Sequence, residues 1–165
     1  MWLVTAQTSK LDEASPFALK VQAKRDLLNE GQEAAAVREK NVMESLIHPF
    51  IIQMHATYQD DHFLYTVMEF VQGGELFSIM HSEQGKIPLS ESQARFYGFA
   101  IADALACMHR KGIAYRDLKP ENVLIDSAGY PKIIDFGFAR KLEDKSYTMC
   151  GTPGYVVLCS LASKH

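Results

Sequence analysis

Two short motifs constrain this chain more than any other feature. The first is Tyr115-Arg-Asp-Leu-Lys-Pro-Glu-Asn122, and the second, Asp135-Phe-Gly137, begins thirteen residues after Asn122. The apolar segments 123–125 and 132–134 between them have the pattern of a short strand pair. The motifs supply two acids, a lysine and an amide in the order that phosphoryl transfer requires. A capped turn is the alternative for the first motif alone, because Asp, Asn and Pro all favour turns.

The composition is that of an ordinary globular protein and excludes several classes. Of 165 residues, 47% are hydrophobic and 22% charged, and the formal net charge is −3, which gives no electrostatic reason to expect binding to nucleic acid or an anionic membrane. No apolar run reaches the roughly 20 residues that span a bilayer. The three cysteines (Cys107, Cys150 and Cys159) lack metal-site spacing, so a reducing compartment, the cytoplasm or the nucleus, is expected.

Strand patterns dominate the chain up to about residue 71. The predicted strands are 1–7, 16–22, 51–58 and 63–70. Segment 32–47 is a predicted helix that ends at His48-Pro49. On that helix Glu39 shares the inward face with the apolar residues three, four and seven positions later. Taken alone, Glu39 is most simply a boundary residue whose carboxylate reaches water, since buried acids are rare without partners.

Helical patterns dominate after residue 71. Gln72-Gly73-Gly74 breaks the strand pattern, and a short helix is predicted to begin near Glu75. The clearest helix is 90–111, which begins with capping-box spacing between Ser90 and Gln93 and ends before a glycine. The last residues, 156–165, show no clear periodicity.

These motifs, with several others, give the chain a family resemblance. The chain resembles the eukaryotic protein kinases, and within them the AGC group with its cAMP- and cGMP-dependent members. The Tyr115 start of the first motif resembles those members most. The other matching segments are Phe17-Ala-Leu-Lys20, Glu39-Lys40, His48-Pro-Phe50, Met68-Glu-Phe-Val71, Gly73-Gly-Glu-Leu-Phe77 and Thr148-Met-Cys-Gly-Thr-Pro153.

The resemblance implies an α+β, bilobal protein-kinase-like fold over residues 1–155. The N-lobe, about 1–71, is expected to be a small antiparallel sheet with one helix. Residues 72–155 are expected to form a truncated, mainly helical C-lobe, followed by a divergent tail at 156–165. The glycine-rich phosphate loop and the Ala-Pro-Glu motif of the family are not found in the sequence. We therefore expect a partial domain with exposed apolar surface on the helix 90–111.

The resemblance also implies roles for four charged residues. Lys20 is expected to contact the α- and β-phosphates of ATP and to pair with Glu39, which accounts for a carboxylate on an apolar helix face. Asp117 is expected to be the catalytic base that accepts and orients the substrate hydroxyl. Lys119 is expected to neutralise charge on the γ-phosphate.

The nucleotide and its cation have further expected ligands. Asn122 and Asp135 are expected to bind Mg²⁺, because hard oxygen donors suit that ion. Met68 is expected at the back of the adenine pocket, with backbone groups of Glu69 and Val71 at the adenine edge. The side chains expected on the adenine faces are Ala18, Leu124 and Ile134. Plain core packing is compatible with this interpretation, since pocket walls are mostly apolar.

Two further acids indicate the kind of substrate. In basophilic relatives, acids that match Glu75 and Glu121 contact the ribose and an arginine N-terminal to the phosphoacceptor. The implied substrates are proteins in which basic residues precede Ser or Thr. A helix N-terminal acid is the alternative interpretation of Glu75.

Thr148 is the expected regulatory phosphorylation site. It lies thirteen residues after Asp135, where the family's activation-loop phosphothreonine is found. Arg116 and Arg140 match basic positions that bind the phosphate through charge-assisted hydrogen bonds. A third basic partner, on the helix 32–47 of some relatives, is replaced here by Ala35.

Two functional hypotheses follow. The first is an ATP- and Mg²⁺-dependent Ser/Thr protein kinase catalytic domain that acts on protein substrates, with a cyclic-nucleotide-binding regulatory domain or subunit as a further partner. The second is a truncated, catalytically inactive kinase-like module that binds nucleotide or other proteins. Phosphotransfer that depends on Asp117 distinguishes them.

Overall fold

An antiparallel sheet of four strands forms in the first half of the chain. The computed structural model describes residues 1–5, 16–82, 85–86 and 89–141. The strands of this sheet are β1 (Trp2–Thr5), β2 (Pro16–Ala23), β3 (Met54–Gln59) and β4 (Phe63–Glu69). Their order is β1-β2-β4-β3, and every neighbouring pair is antiparallel.

Two helices connect β2 to β3. They are α1 (Lys24–Asn29) and α2 (Glu33–Ser45), and α2 confirms the helix predicted at 32–47. The short helix α1 was not predicted, because six residues are too few for a helical period to show in the sequence.

The start of β3 differs from its prediction. The strand predicted at 51–58 begins only at Met54, so the prediction was wrong for the first three residues. Ile51 instead forms a parallel bridge with Ile133, and the Ile52 N–H donates to the Ile133 carbonyl at 3.0 Å. An apolar run of isoleucines therefore links the sheet to the second half of the chain.

Helices and short strand pairs form the second half. The remaining elements are α3 (Leu76–Met80), β5 (His81–Ser82), β6 (Gly85–Lys86), α4 (Glu91–Arg110), β7 (Ile113–Ala114), a 3-10 turn (Pro120–Asn122), β8 (Val123–Ile125), β9 (Pro131–Ile133) and β10 (Arg140–Lys141). The pairs are β5 with β6, β7 with β10 and β8 with β9, all antiparallel. Strand β9 lies one residue earlier than the predicted 132–134.

Helix α4 begins and ends as its sequence predicts. The Ser90 hydroxyl accepts a hydrogen bond from the Gln93 N–H, and the Gln93 side chain accepts one from the Ser90 N–H, which completes the capping box. Gly112 follows the helix with φ 68°, a conformation that glycine adopts at little cost. Phe99 is 75% exposed and Phe96 43%, in line with the apolar surface expected on this helix. No helix in the described ranges is long and apolar enough to cross a membrane.

One apolar core joins the sheet, α2, α4 and both sequence motifs. Met43 of α2 and Met54 and Met68 of the sheet are buried in the same cluster as Met108 of α4. The side chains of Tyr115 and Phe136, one from each motif, belong to that cluster, and Phe136 is fully buried. The turns that carry the polar residues of the two motifs are therefore held from the core side.

Gly73 gives a stability test of the contact between the segment after β4 and β8. Its N–H donates to the Ile125 carbonyl at 2.8 Å, and a Cβ there would lie 2.4 Å from that oxygen. We expect Gly73→Ala to lower the free energy of unfolding by about 1–3 kcal/mol, because a backbone atom must move. Urea denaturation measures this.

The matched control is Gly98→Ala, in the middle of α4. A Cβ at Gly98 meets nothing within 4 Å. Alanine should therefore stabilise the helix by up to about 1 kcal/mol. Equal effects of the two substitutions would contradict a close approach at Gly73.

Candidate active site

The Lys20–Glu39 ion pair links strand β2 to helix α2. Lys20 Nζ lies 2.6 Å from Glu39 Oε1, and the two side chains are 30% and 14% exposed. Lys20 lies opposite Thr66 of β4, in the inner strand β2, where the antiparallel pairing of β2 with β4 fixes its backbone position. Glu39 therefore has the charged partner that accounts for a carboxylate on the inward face of α2.

A second polar cluster forms around Asp117. Asn122 Nδ2 donates to the Asp117 carboxylate at 2.8 Å and to the Asp117 carbonyl at 2.9 Å. Lys119 Nζ lies 3.3 Å from Asp117 Oδ2, and the Asp117 side chain is 2% exposed. The lysine and the amide both place hydrogen-bond donors next to this buried carboxylate. A negatively charged acceptor held in this way can take a hydrogen bond from a hydroxyl.

The backbone is strained at both motifs. Among the described non-glycine residues, positive φ angles occur at Arg116 (69°) and Asp135 (60°). Such conformations persist only where the surroundings hold them, and they cluster at functional sites. The Arg116 Nε–H donates to the Phe138 carbonyl at 2.8 Å, so the first motif holds the segment that follows the second.

Tyr115 connects the two motifs through the core. Its hydroxyl donates to the Ile134 carbonyl, and its ring packs edge to face on Phe136 with 5.5 Å between ring centroids. Burial, and then the charges of Asp135 and Asp117, hold the pKa of Tyr115 far above its usual value. Tyr115 is therefore a neutral hydrogen-bond donor that fixes the backbone directly before Asp135.

Asn122 and Asp135 offer oxygen donors that suit Mg²⁺. Asn122 is buried, whereas Asp135 is exposed and accepts a hydrogen bond from the Gly137 N–H at 3.1 Å. Asn122 directly precedes β8 and Asp135 lies two residues after β9, so the antiparallel pairing brings both residues to the same end of the strand pair. There the Ile134 N–H donates to the Asn122 carbonyl at 3.0 Å. Within the described ranges, no group of three or more His, Cys, Asp and Glu is placed to hold a metal ion. An amide and a carboxylate fit an ion that takes phosphate oxygens for the rest of its shell.

The residues expected around adenine come from several strands. Ala18 and Met68 are buried and lie opposite each other in the β2–β4 pair. Leu124 lies in β8 and forms an isolated bridge with Glu75, while Val71 and Ile134 pack against the main core. These positions place apolar walls on both the sheet side and the β8–β9 side, and the roles at adenine stay predictions.

The two acids expected at the substrate differ in their surroundings. Glu75 is exposed and lies at the N-terminal boundary of α3. Glu121 lies in the 3-10 turn, and its Oε2 atom is buried with no hydrogen-bond partner among the described residues. A buried carboxylate oxygen without a hydrogen-bond donor is energetically unfavourable.

The expected phosphate-binding residues lie at the edge of the described structure. Arg116 follows Tyr115, and Arg140 begins β10 and pairs through its backbone with Ala114. Thr148 and the tail 156–165 lie outside the described residues, so the predicted contact between Thr148 and the two arginines is not tested.

One ion pair and one contact between a histidine and a carboxylate were not predicted. Lys132 Nζ lies 2.9 Å from Glu69 Oε2, and His48 Nε2 lies 3.3 Å from Asp103 Oδ2. The sequence distance between Glu69 and Lys132 is 63 residues, so no local spacing reveals the pair. The one available signal was a lysine between apolar neighbours in a predicted strand, as at Lys20.

Comparison with known proteins places the chain in a family. The protein kinase domain model matches residues 4–158. A Caenorhabditis elegans protein described as cAMP-dependent protein kinase, catalytic subunit-like, is 46% identical over 146 residues, which are 88% of this chain and 36% of that protein. The human cAMP-dependent protein kinase catalytic subunit PRKX is 45% identical over 148 residues, which are 90% of this chain and 40% of that protein.

A third relative has a similar identity to this chain. The cAMP-dependent protein kinase catalytic subunit of Dictyostelium discoideum is 44% identical over 126 residues, 76% of this chain and 19% of that protein. The chain thus spans well under two thirds of the length of these three relatives. The antiparallel sheet of the first half and the helices agree with the bilobal protein-kinase fold expected from the sequence. This chain belongs to the protein kinase domain family, and within it to the AGC-like Ser/Thr kinases.

Proposed function

We propose that the chain carries the catalytic centre of an ATP- and Mg²⁺-dependent Ser/Thr protein kinase. The observation that carries the proposal is the formed Lys20–Glu39 ion pair, at 2.6 Å. In this arrangement Glu39 fixes the Lys20 ammonium, which is then in place to bind the α- and β-phosphates.

Asp117 and Lys119 would act on the reacting groups. The Asp117 carboxylate would accept the hydrogen bond of a Ser or Thr hydroxyl and orient its oxygen toward the γ-phosphate. It would take the proton as the bond from that oxygen to the γ-phosphorus forms and the bond from the γ-phosphorus to the β–γ bridging oxygen breaks, which releases ADP. Lys119, 3.3 Å from the Asp117 carboxylate, supplies positive charge beside the phosphoryl group.

Asn122 and Asp135 would hold the cation. Bound Mg²⁺ neutralises charge on the phosphates. The hydrogen bonds from Asn122 to Asp117 connect the proposed cation ligand to the proposed catalytic base, so the distance between these two side chains is fixed. Asp135 has a positive φ and lies in a turn next to Phe136. The packing of Phe136 on Tyr115 in the core holds this turn in place.

Glu121 and Glu75 support a preference for basic substrates. The buried Oε2 of Glu121 lacks a donor among the described residues, and an arginine guanidinium would supply one. Glu75 adds a second negative charge next to β8. We propose that the substrates are proteins in which Arg or Lys precedes the phosphorylated Ser or Thr. Phosphorylation of Thr148 and a cyclic-nucleotide-binding partner are the proposed means of control.

Asp117→Asn tests the proposed reaction. The substitution keeps the size of the side chain and removes its capacity to accept a proton, so we expect phosphotransfer to fall by at least about 100-fold. Transfer of ³²P from ATP to a serine peptide measures this. The control is Asp61→Asn, an exposed acid beside the β3–β4 turn, which should leave the rate unchanged.

Two outcomes decide between the functional hypotheses. Activity that survives Asp117→Asn would contradict the role of Asp117. A wild-type chain that binds Mg-ATP without transferring phosphate would favour the inactive, nucleotide-binding module.

Glu121→Gln tests the substrate preference. We expect kcat/KM to fall about tenfold or more for a serine peptide with N-terminal arginines, because a charge-assisted hydrogen bond is lost. The rate for the same peptide with alanines should change little. Glu91→Gln on α4 is the control, since Glu91 is exposed and pairs with Arg95. Equal losses for both peptides would contradict a contact between Glu121 and the basic residues.

A further inference from the structure

The Glu69 carboxylate holds two separate parts of the chain. Its Oε1 atom accepts a hydrogen bond from the Gln53 N–H at 2.8 Å, and its Oε2 atom accepts one from Lys132 Nζ at 2.9 Å. The Glu69 N–H also donates to the Gln53 carbonyl at 2.9 Å. The Lys132 and Glu69 side chains are 15% and 24% exposed, so water screens this pair less than the exposed pairs on α2 and α4.

The pair lies between two parts of the candidate site. Glu69 ends β4, two residues before Val71 at the expected adenine edge. Lys132 lies in β9, three residues before Asp135. Two backbone hydrogen bonds join the same two parts of the chain. The Ile52 N–H donates to the Ile133 carbonyl at 3.0 Å, and the Ile133 N–H donates to the Phe50 carbonyl at 2.9 Å.

We propose that the Glu69–Lys132 ion pair is a clamp that sets the distance between the adenine edge and the metal-binding turn. This inference rests on the proposed binding of Mg-ATP. The side chains of both residues are positioning groups that need not touch the nucleotide, while the Glu69 backbone lies at the expected adenine edge. Backbone bonds attach Glu69 to the four-stranded sheet and Lys132 to β8. The pair therefore ties the two elements that approach a nucleotide from its two ends.

The clamp makes a prediction that distinguishes one ligand from another. Adenosine reaches the adenine edge and has no phosphates for a cation at Asp135. Mg-ATP spans both ends and depends on their spacing. Loss of the clamp should therefore weaken Mg-ATP binding and leave adenosine binding nearly unchanged, whereas general damage to the fold should weaken both.

Three substitutions separate the clamp from simple packing. Lys132→Met removes the ammonium and keeps an apolar chain of similar length, and Lys132→Arg restores a charged donor. Glu69→Gln removes the charge and keeps an oxygen for the Gln53 N–H. The control is Arg95→Met on α4, which removes a cation from the Arg95–Glu91 pair, 2.6 Å apart and remote in sequence from the site.

Isothermal titration of the whole chain with Mg-ATP and with adenosine is the test. We expect Lys132→Met and Glu69→Gln each to raise the Mg-ATP dissociation constant about fivefold, with less than about twofold change for adenosine. The double substitution should match the single ones, since they break one interaction. The Mg-ATP and adenosine dissociation constants of Lys132→Arg and Arg95→Met should stay near those of the wild-type chain. Equal losses for both ligands, or no loss for Mg-ATP, would overturn the clamp.

Hydrogen exchange of the nucleotide-free chain tests the clamp independently of the proposed function. A wild-type chain that binds neither ligand would contradict the proposed function itself, and the exchange result then decides about the clamp. We expect the Gln53 and Ile133 amides to exchange faster in Lys132→Met than in Arg95→Met. Unchanged protection at both amides would overturn the clamp.

Discussion

The ion pair between Lys20 and Glu39 is the interaction on which the rest of the site depends. It ties the middle of the sheet to α2 across 19 residues of sequence, at 2.6 Å. Removing either partner would leave a partly buried charge without compensation. With the pair formed, Val42 and Met43 of α2 enter the core that also holds both motifs. This electrostatic contact thus links helix α2 to Lys20 of the sheet.

Buried apolar side chains next to the polar residues of the two motifs anchor both motifs in the core. Phe136 and Tyr115 are buried in the core, while their neighbours Asp135 and Arg116 take left-handed backbone conformations. Each strained backbone conformation costs about 1–3 kcal/mol. Burial of an aromatic ring stabilises the folded state by more than that cost. The core therefore maintains the turns that present the acids. The Glu69–Lys132 ion pair adds a polar link between β4 and β9.

Sequence reasoning predicted elements that local chemistry defines. Helix α4 was predictable from its capping box and its terminal glycine, and the motifs predicted the turns that carry Asp117 and Asp135. The strand predicted at 51–58 was wrong at its start, because the sequence pattern of Ile51-Ile52 is the same whether these residues pair within the sheet or with β9. The Glu69–Lys132 pair was beyond prediction, since it forms only when segments 63 residues apart meet.

The affinity for Mg-ATP of Lys20→Met compared with Lys40→Met tests the central claim most directly. Each lysine lies 2.6 Å from a glutamate of α2, but the Lys40–Glu44 pair is exposed and lies within the helix, so Lys40→Met controls for the loss of one lysine charge. Lys20→Met should weaken Mg-ATP binding about tenfold or more, because the phosphates lose a charged donor, and Lys40→Met should leave it unchanged. Equal affinities in the two variants would contradict the account.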